Sequence, residues 1–336
     1  MLGKQEQKKN KHLDPGIVCL SIAFSPPTQA HSRQLSILAG AAPMSKQQLD
    51  ALVTILRARR AEGTPTVEER RAGIQETGDK LPVPPEAIIE KIEVAGCWTE
   101  WVSAPGANPN RQVLYLHGGG YVIGSPHSHR NLAYNIAKAM DARVLVIDYR
   151  MAPEDPFPAA VDDAVAAWKW MLAQGGNPAK MAIMGDSAGG GLTVATQIAL
   201  KNEGVALPAC SCLISPWTDL EGTGESVKTK ADADPMIQPE SLAWFSDLYR
   251  AGADVRDPLV SPLYADLSNL PPMLVQVGTA EILMDDSTRL AEAARKVGVD
   301  VTLELWDDMP HIWHIFAPML DDCLLYTSDA ADEGHC

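Results

Sequence analysis

A chain of 336 residues with 46% apolar side chains is long enough to bury one large core with a small appendage. A formal net charge of −15 repels phosphates, which argues against nucleic acid and anionic membranes as partners. No apolar run reaches the length of a membrane span, and the six cysteines (Cys19, Cys97, Cys210, Cys212, Cys323 and Cys336) form neither a C-x-x-C pair nor a zinc pattern.

The two ends read differently from the rest. Lys4, Lys8, Lys9 and Lys11 precede an apolar patch over 16–24, and Thr28-Gln29-Ala30 resembles a cleavage site. Asp14 and Pro15 interrupt that pattern. Residues 1–43 are therefore expected to be a disordered leader or an over-extended reading frame ahead of Met44, and the protein cytoplasmic. A signal peptide over 1–30 would instead make it secreted. At the other end, residues 323–336 resemble the translation of a sequencing adapter, which points to assembled environmental DNA and a native chain ending near Asp322.

Between these ends the pattern is regular. Residues 44–90 read as N-terminal cap helices. The first has a Ser45/Gln48 capping box and carries Leu49, Leu52, Val53 and Leu56 on one face. The second starts near Thr64-Pro65 or at Thr66, with Glu69 behind it, and a Pro-rich joint follows over 81–85. The pieces 88–95 and 98–103 suggest an antiparallel pair. Strands are then expected at 113–117, 143–149, 181–184, 210–215, 273–277 and 301–306. Helices are expected near 131–140, 159–173, 192–200 and 285–297, with a last one beginning near His311. This alternation predicts an α/β catalytic domain over 91–322, a mostly parallel central sheet flanked by helices. The polar stretch 217–253 breaks the rhythm and is expected to contribute to the cap.

Two motifs carry chemistry. Gly185-Asp186-Ser187-Ala188-Gly189-Gly190 sits between an apolar strand and a helix-like run. A serine on so tight a turn has its hydroxyl forced out above the sheet, and this arrangement resembles the nucleophile elbow of α/β-hydrolases. Upstream, His117-Gly118-Gly119-Gly120 follows a strand, and its glycines let backbone N–H groups approach a tetrahedral oxyanion. Gly118 and Gly119, with Ala188 after the nucleophile, are assigned to that oxyanion hole. His117 is read as structural, its ring holding the loop.

With Asp148-Tyr149-Arg150-Met151-Ala152-Pro153-Glu154 between them, these motifs resemble the hormone-sensitive-lipase family of bacterial carboxylesterases, over about 44–322. The resemblance implies an α/β-hydrolase fold with a helical cap and hydrolysis of short-chain acyl esters. The motif 149–158 carries no derivable chemistry, and Glu154, Asp162 and Asp163 are read as structural pairs.

Triad members in this fold come in the order serine, acid, histidine. His311 follows the last strand and occupies the position resembling the family's base, with His314 one turn on as a packing residue. The acid position falls on Glu281, a glutamate where the family's usual residue is aspartate. Asp285 is its rival; read otherwise, Asp285 and Asp286 form an acidic first helical turn. His127 and His129 are candidates for a pocket wall, but no third ligand accompanies them.

The reading is a serine carboxylesterase with Ser187 as nucleophile, His311 as base and Glu281 as acid, needing no metal or cofactor. Its partner is a small-molecule ester, with no nucleic acid and no membrane, and a homodimer stays open. The alternative is a non-catalytic small-molecule-binding protein of the same fold.

Overall fold

The computed structural model describes residues 46–60 and 65–320. The expected leader, the Ser45 half of the first capping box and the adapter-like tail lie outside them. Two helices come first, α1 (Lys46–Arg60) and α2 (Val67–Lys80). Thr66 caps α2 and completes a capping box with Glu69, satisfying donors that the first helical turn leaves open.

The sheet has eight strands: β1 (Ile88–Val94), β2 (Cys97–Ser103), β3 (Gln112–Leu116), β4 (Arg143–Ile147), β5 (Met181–Asp186), β6 (Cys210–Ile214), β7 (Met273–Gly278) and β8 (Val301–Trp306). Their order is β1-β2-β4-β3-β5-β6-β7-β8. β1 pairs antiparallel with β2, as does β2 with β4. From β4 to β8 all pairing is parallel.

Alternate side chains of β3 enter two different cores. Leu114 and Leu116 join Trp168 and Leu192 on one face, while Val113 and Tyr115 join Leu132 and Tyr134 on the other. Burial on both faces is what makes the parallel strands read as unbroken apolar runs. Helices α3 (Pro126–Met140), α4 (Ala159–Ala173), α5 (Ala188–Asn202) and α8 (Met284–Lys296) cover the sheet. Stretch 217–253 contributes α6 (Ser226–Thr229) and α7 (Pro239–Arg250).

Three helical segments differ most from the sequence reading. α3 starts at Pro126 because Ser125 caps it, with Ser128 closing the box. α5 starts at Ala188, where close packing against β3 overrides the low helix propensity of three glycines. The expected last helix is, within the described residues, a 3₁₀ run over Trp313–Met319 that contains Pro318.

The covering segments touch the loops at the carboxyl ends of the strands. Leu52 and Leu56 of α1 pack with Ile312, Ile315 and Phe316. Arg71 of α2 donates to the carbonyls of Val122 and Ala152 and forms a bidentate pair with Glu154 at 2.7 Å. Phe245 of α7 lies so close to Gly120 that a Cβ there would meet its ring at 2.6 Å. The Arg70 guanidinium of α2 sits 4.9 Å from the Trp244 ring centre and 5.5 Å from that of Phe245, linking the two segments by cation–π contact. Among the described residues, no helix is long and apolar enough to cross a membrane.

Candidate active site

The four groups singled out in the sequence follow the carboxyl ends of β3, β5, β7 and β8, the edge where parallel sheets present their ligand crevice. Ser187 stands between β5 and α5 with φ 53° and ψ −122°, a conformation that costs on the order of 1–3 kcal/mol for a residue with a side chain. Backbone bonds hold it, among them a Gly191 N–H donating to its carbonyl at 3.2 Å. Ser187 N–H donates to the Ile214 carbonyl at 2.9 Å, while Gly190 and Trp217 N–H donate to the Ser187 carbonyl at 3.0 and 2.8 Å. Gly189 must lack a side chain, since a Cβ would come 1.9 Å from the Leu116 carbonyl oxygen.

His311 and Glu281 meet. His311 Nδ1 donates to Glu281 Oε2 at 2.6 Å, and both side chains are buried. The other carboxylate oxygen, Oε1, accepts from Ser215 Oγ at 2.8 Å and from Gly278 N–H at 2.7 Å. Ser215 Oγ also receives Ile312 N–H at 3.2 Å, so one hydroxyl ties the acid loop to the histidine loop. The longer glutamate is thus folded back onto its own loop. Burial alone would lower the His311 pKa; the negative charge of Glu281, helped by Asp234 and Asp186, outweighs this and raises it above the usual histidine value.

The other candidates lie elsewhere. His314 Nε2 faces Gln276 Oε1 at 3.1 Å, and burial drops its pKa to about 4. Asp285 Oδ2 accepts Ser226 N–H at 2.8 Å, and Ser226 Oγ donates to the Ile282 carbonyl. Asp286 accepts the N–H groups of Thr218 and Asp219 at 2.7 and 2.8 Å, and burial raises it to about 7. Both carboxylates belong to the first turn of α8, but their bonds go to the covering stretch. His127 pairs with Asp79, and His129 is 2% exposed rather than on a pocket wall, its Nε2 facing Asp186. Glu154 and Asp163 form the expected structural pairs, with Arg71 and Arg150. Among the described residues, no three His, Cys, Asp or Glu side chains converge as a metal site.

The glycine loop requires a correction. Gly118 N–H donates to Asp186 Oδ1 at 3.0 Å, so it is not available for an oxyanion. The Gly118 carbonyl receives His117 Nδ1–H at 2.8 Å, from a ring kept neutral by burial, with a pKa near 3, and stacked on Tyr149. In a trans peptide the C=O and N–H point opposite ways, so this bond aims Gly119 N–H away from His117. The Gly119 carbonyl accepts from Val122 and Ile123 N–H at 3.1 and 3.0 Å, which fixes Gly120 N–H in the same manner. Among the described residues, the N–H groups of Gly119, Gly120 and Ala188 have no acceptor. Sequence reasoning missed Asp186 and Ser215. Asp186 stood inside a motif already noted, but its partner lies on another strand; Ser215 carried no motif at all.

Comparison with known proteins places the fold in a family. Residues 113–315 match the family described as alpha/beta hydrolase fold. An acetyl-hydrolase of Streptomyces hygroscopicus is 45% identical over 259 residues, 76% of this chain and 85% of that protein. The crystal structure of an esterase from the bacterial hormone-sensitive lipase family is 46% identical, with a TM-score of 0.81 over 84% of this chain and 95% of that one. The crystal structure of EstE5, soaked with p-nitrophenyl butyrate, is 43% identical, with a TM-score of 0.80 over 83% and 95% of the two chains. The chain belongs to the α/β-hydrolase family, within the bacterial hormone-sensitive-lipase group of carboxylic ester hydrolases.

Proposed function

We propose that this ester hydrolase acts on short-chain acyl esters, with Ser187 as nucleophile, His311 as base and Glu281 as acid. The observation that carries the reading is the 2.6 Å bond from His311 Nδ1–H to a buried glutamate. It fixes the ring's tautomer and leaves Nε2 to take a proton. His311 removes the Ser187 proton as Oγ attacks the ester carbonyl. The N–H groups of Gly119, Gly120 and Ala188 hold the oxyanion, Gly120 replacing Gly118. His311 then returns the proton to the leaving alcohol, and a water repeats the cycle on the acyl-enzyme.

The acetyl-hydrolase relative and the soaking of the EstE5 crystal with p-nitrophenyl butyrate support a short acyl chain. Phe245 against Gly120 supports it too, by filling space beside the proposed hole. The test is hydrolysis of p-nitrophenyl acetate, butyrate and octanoate by wild type and Ser187→Ala. Acetate or butyrate is expected to give the highest kcat/KM, and Ser187→Ala no turnover. Turnover surviving in Ser187→Ala would end the triad reading, and preference for octanoate would end the short-chain one.

A further inference from the structure

Asp186 is fully buried, one residue before the proposed nucleophile. A buried carboxylate is costly unless donors surround it. Its Oδ1 accepts Tyr115 Oη–H at 2.7 Å and Gly118 N–H at 3.0 Å, and its Oδ2 faces His129 Nε2 at 3.4 Å. Burial acts to raise its pKa, but His129 and the Tyr115 hydrogen bond together hold it below the usual carboxylate range. The contact with Gly118 leaves no slack, since a Cβ on that glycine would lie 2.2 Å from Oδ2. Gly118 is thus gripped at both ends, its N–H by Asp186 and its carbonyl by His117.

We propose that Asp186 is a positioning residue for the oxyanion hole. By holding Gly118 N–H inward it fixes the peptide that presents Gly119 N–H, and it joins the strand end bearing Ser187 to the loop that receives the oxyanion. Tyr115 and His129 hold the carboxylate in place. This rests on the proposed roles of Ser187, Gly119 and Gly120.

The test compares Asp186→Ala, Asp186→Asn and Tyr115→Phe on p-nitrophenyl butyrate, with rates expressed per serine titrated by an organophosphate. Asp186→Ala is expected to lose about 100-fold in kcat with little change in KM, the scale of one lost oxyanion donor. Affinity for an alkyl trifluoromethyl ketone, whose serine adduct places an oxyanion in the hole, should fall in proportion to kcat/KM. Asp186→Asn keeps an acceptor for Gly118 and Tyr115 and offers an amide donor to His129, so it should stay within about tenfold of wild type. Tyr115→Phe removes one donor without a cavity and should lower kcat by roughly threefold to tenfold.

A merely structural role would instead reduce the titratable serine and the Tm while kcat per site held steady, and that result overturns the proposal. So does Asp186→Asn falling as far as Asp186→Ala. If Asp186→Ala does not fold, an unchanged kcat in Tyr115→Phe overturns it. Failure of the underlying reading is separate: turnover in Ser187→Ala, or no titration of wild type, discredits the nucleophile whatever the Asp186 variants do.

Discussion

The two flanks of Ser187 are built from the same parts. On each, a fully buried carboxylate gives one oxygen to two donors and turns the other toward a histidine. Asp186 takes Tyr115 and Gly118 and faces His129 at 3.4 Å. Glu281 takes Ser215 and Gly278 and faces His311 at 2.6 Å. The difference lies in the histidine's other nitrogen. His129 turns Nδ1 back onto Ser128 Oγ and the Ser125 carbonyl, so the ring is locked at both ends. His311 has no such second tie among the described residues. A histidine whose second nitrogen is free of structural ties can pass a proton to and from a hydroxyl, whereas one tied at both to structural partners is a brace.

The contrast breaks most visibly at the acid. Glu281→Gln should lower kcat by roughly 10³–10⁴-fold, because an amide no longer stabilises the imidazolium. It should also move the acid limb of kcat/KM. A base must be neutral to act, so with His311 as the proposed base wild-type activity should fall as pH drops through its pKa, which the Glu281 charge raises. Without that charge, the limb of the residual activity shifts to lower pH. A limb that stays put would show that another group sets it.

Ser215→Ala removes one of the two donors on Glu281 Oε1 and the acceptor of Ile312 N–H. Steady-state kinetics should show roughly a tenfold loss in kcat, on the order of 1.4 kcal/mol. Asp285→Ala sharpens the comparison from the other side. Urea unfolding should register a loss of about 1 kcal/mol from the orphaned Ser226 N–H, with kcat within about 2-fold of wild type. A kcat collapse there would restore Asp285 as the acid. The smallest effect belongs to His314→Asn, which should leave the acid limb of the pH profile in place, since His314 contacts Gln276 and not Glu281.

What sequence reveals here divides along the same line. The strand ends and the tight turn at Ser187 follow from period and motif. Thr66 with Glu69 announced α2, and unbroken apolar runs announced the parallel strands. The oxyanion loop was less legible, because the fate of Gly118 N–H depends on Asp186, which reaches it from the end of another strand. No local pattern encodes that pairing. The start of α3 was readable in principle: Ser125-Pro126 is a cap followed by a first-turn proline, obscured because Ser128 stands where Glu or Gln usually completes the box.

The ring of Phe245 ties two design goals together. With the oxyanion hole placed as proposed, trimming it would clear room over Gly120 for bulkier acyl groups, yet the same ring is part of the surface on which Arg70 lies. Broader scope and a firmly seated roof therefore trade against each other through a single side chain. An engineer widening this enzyme's range would need to give the guanidinium of Arg70 a new resting place in the same step.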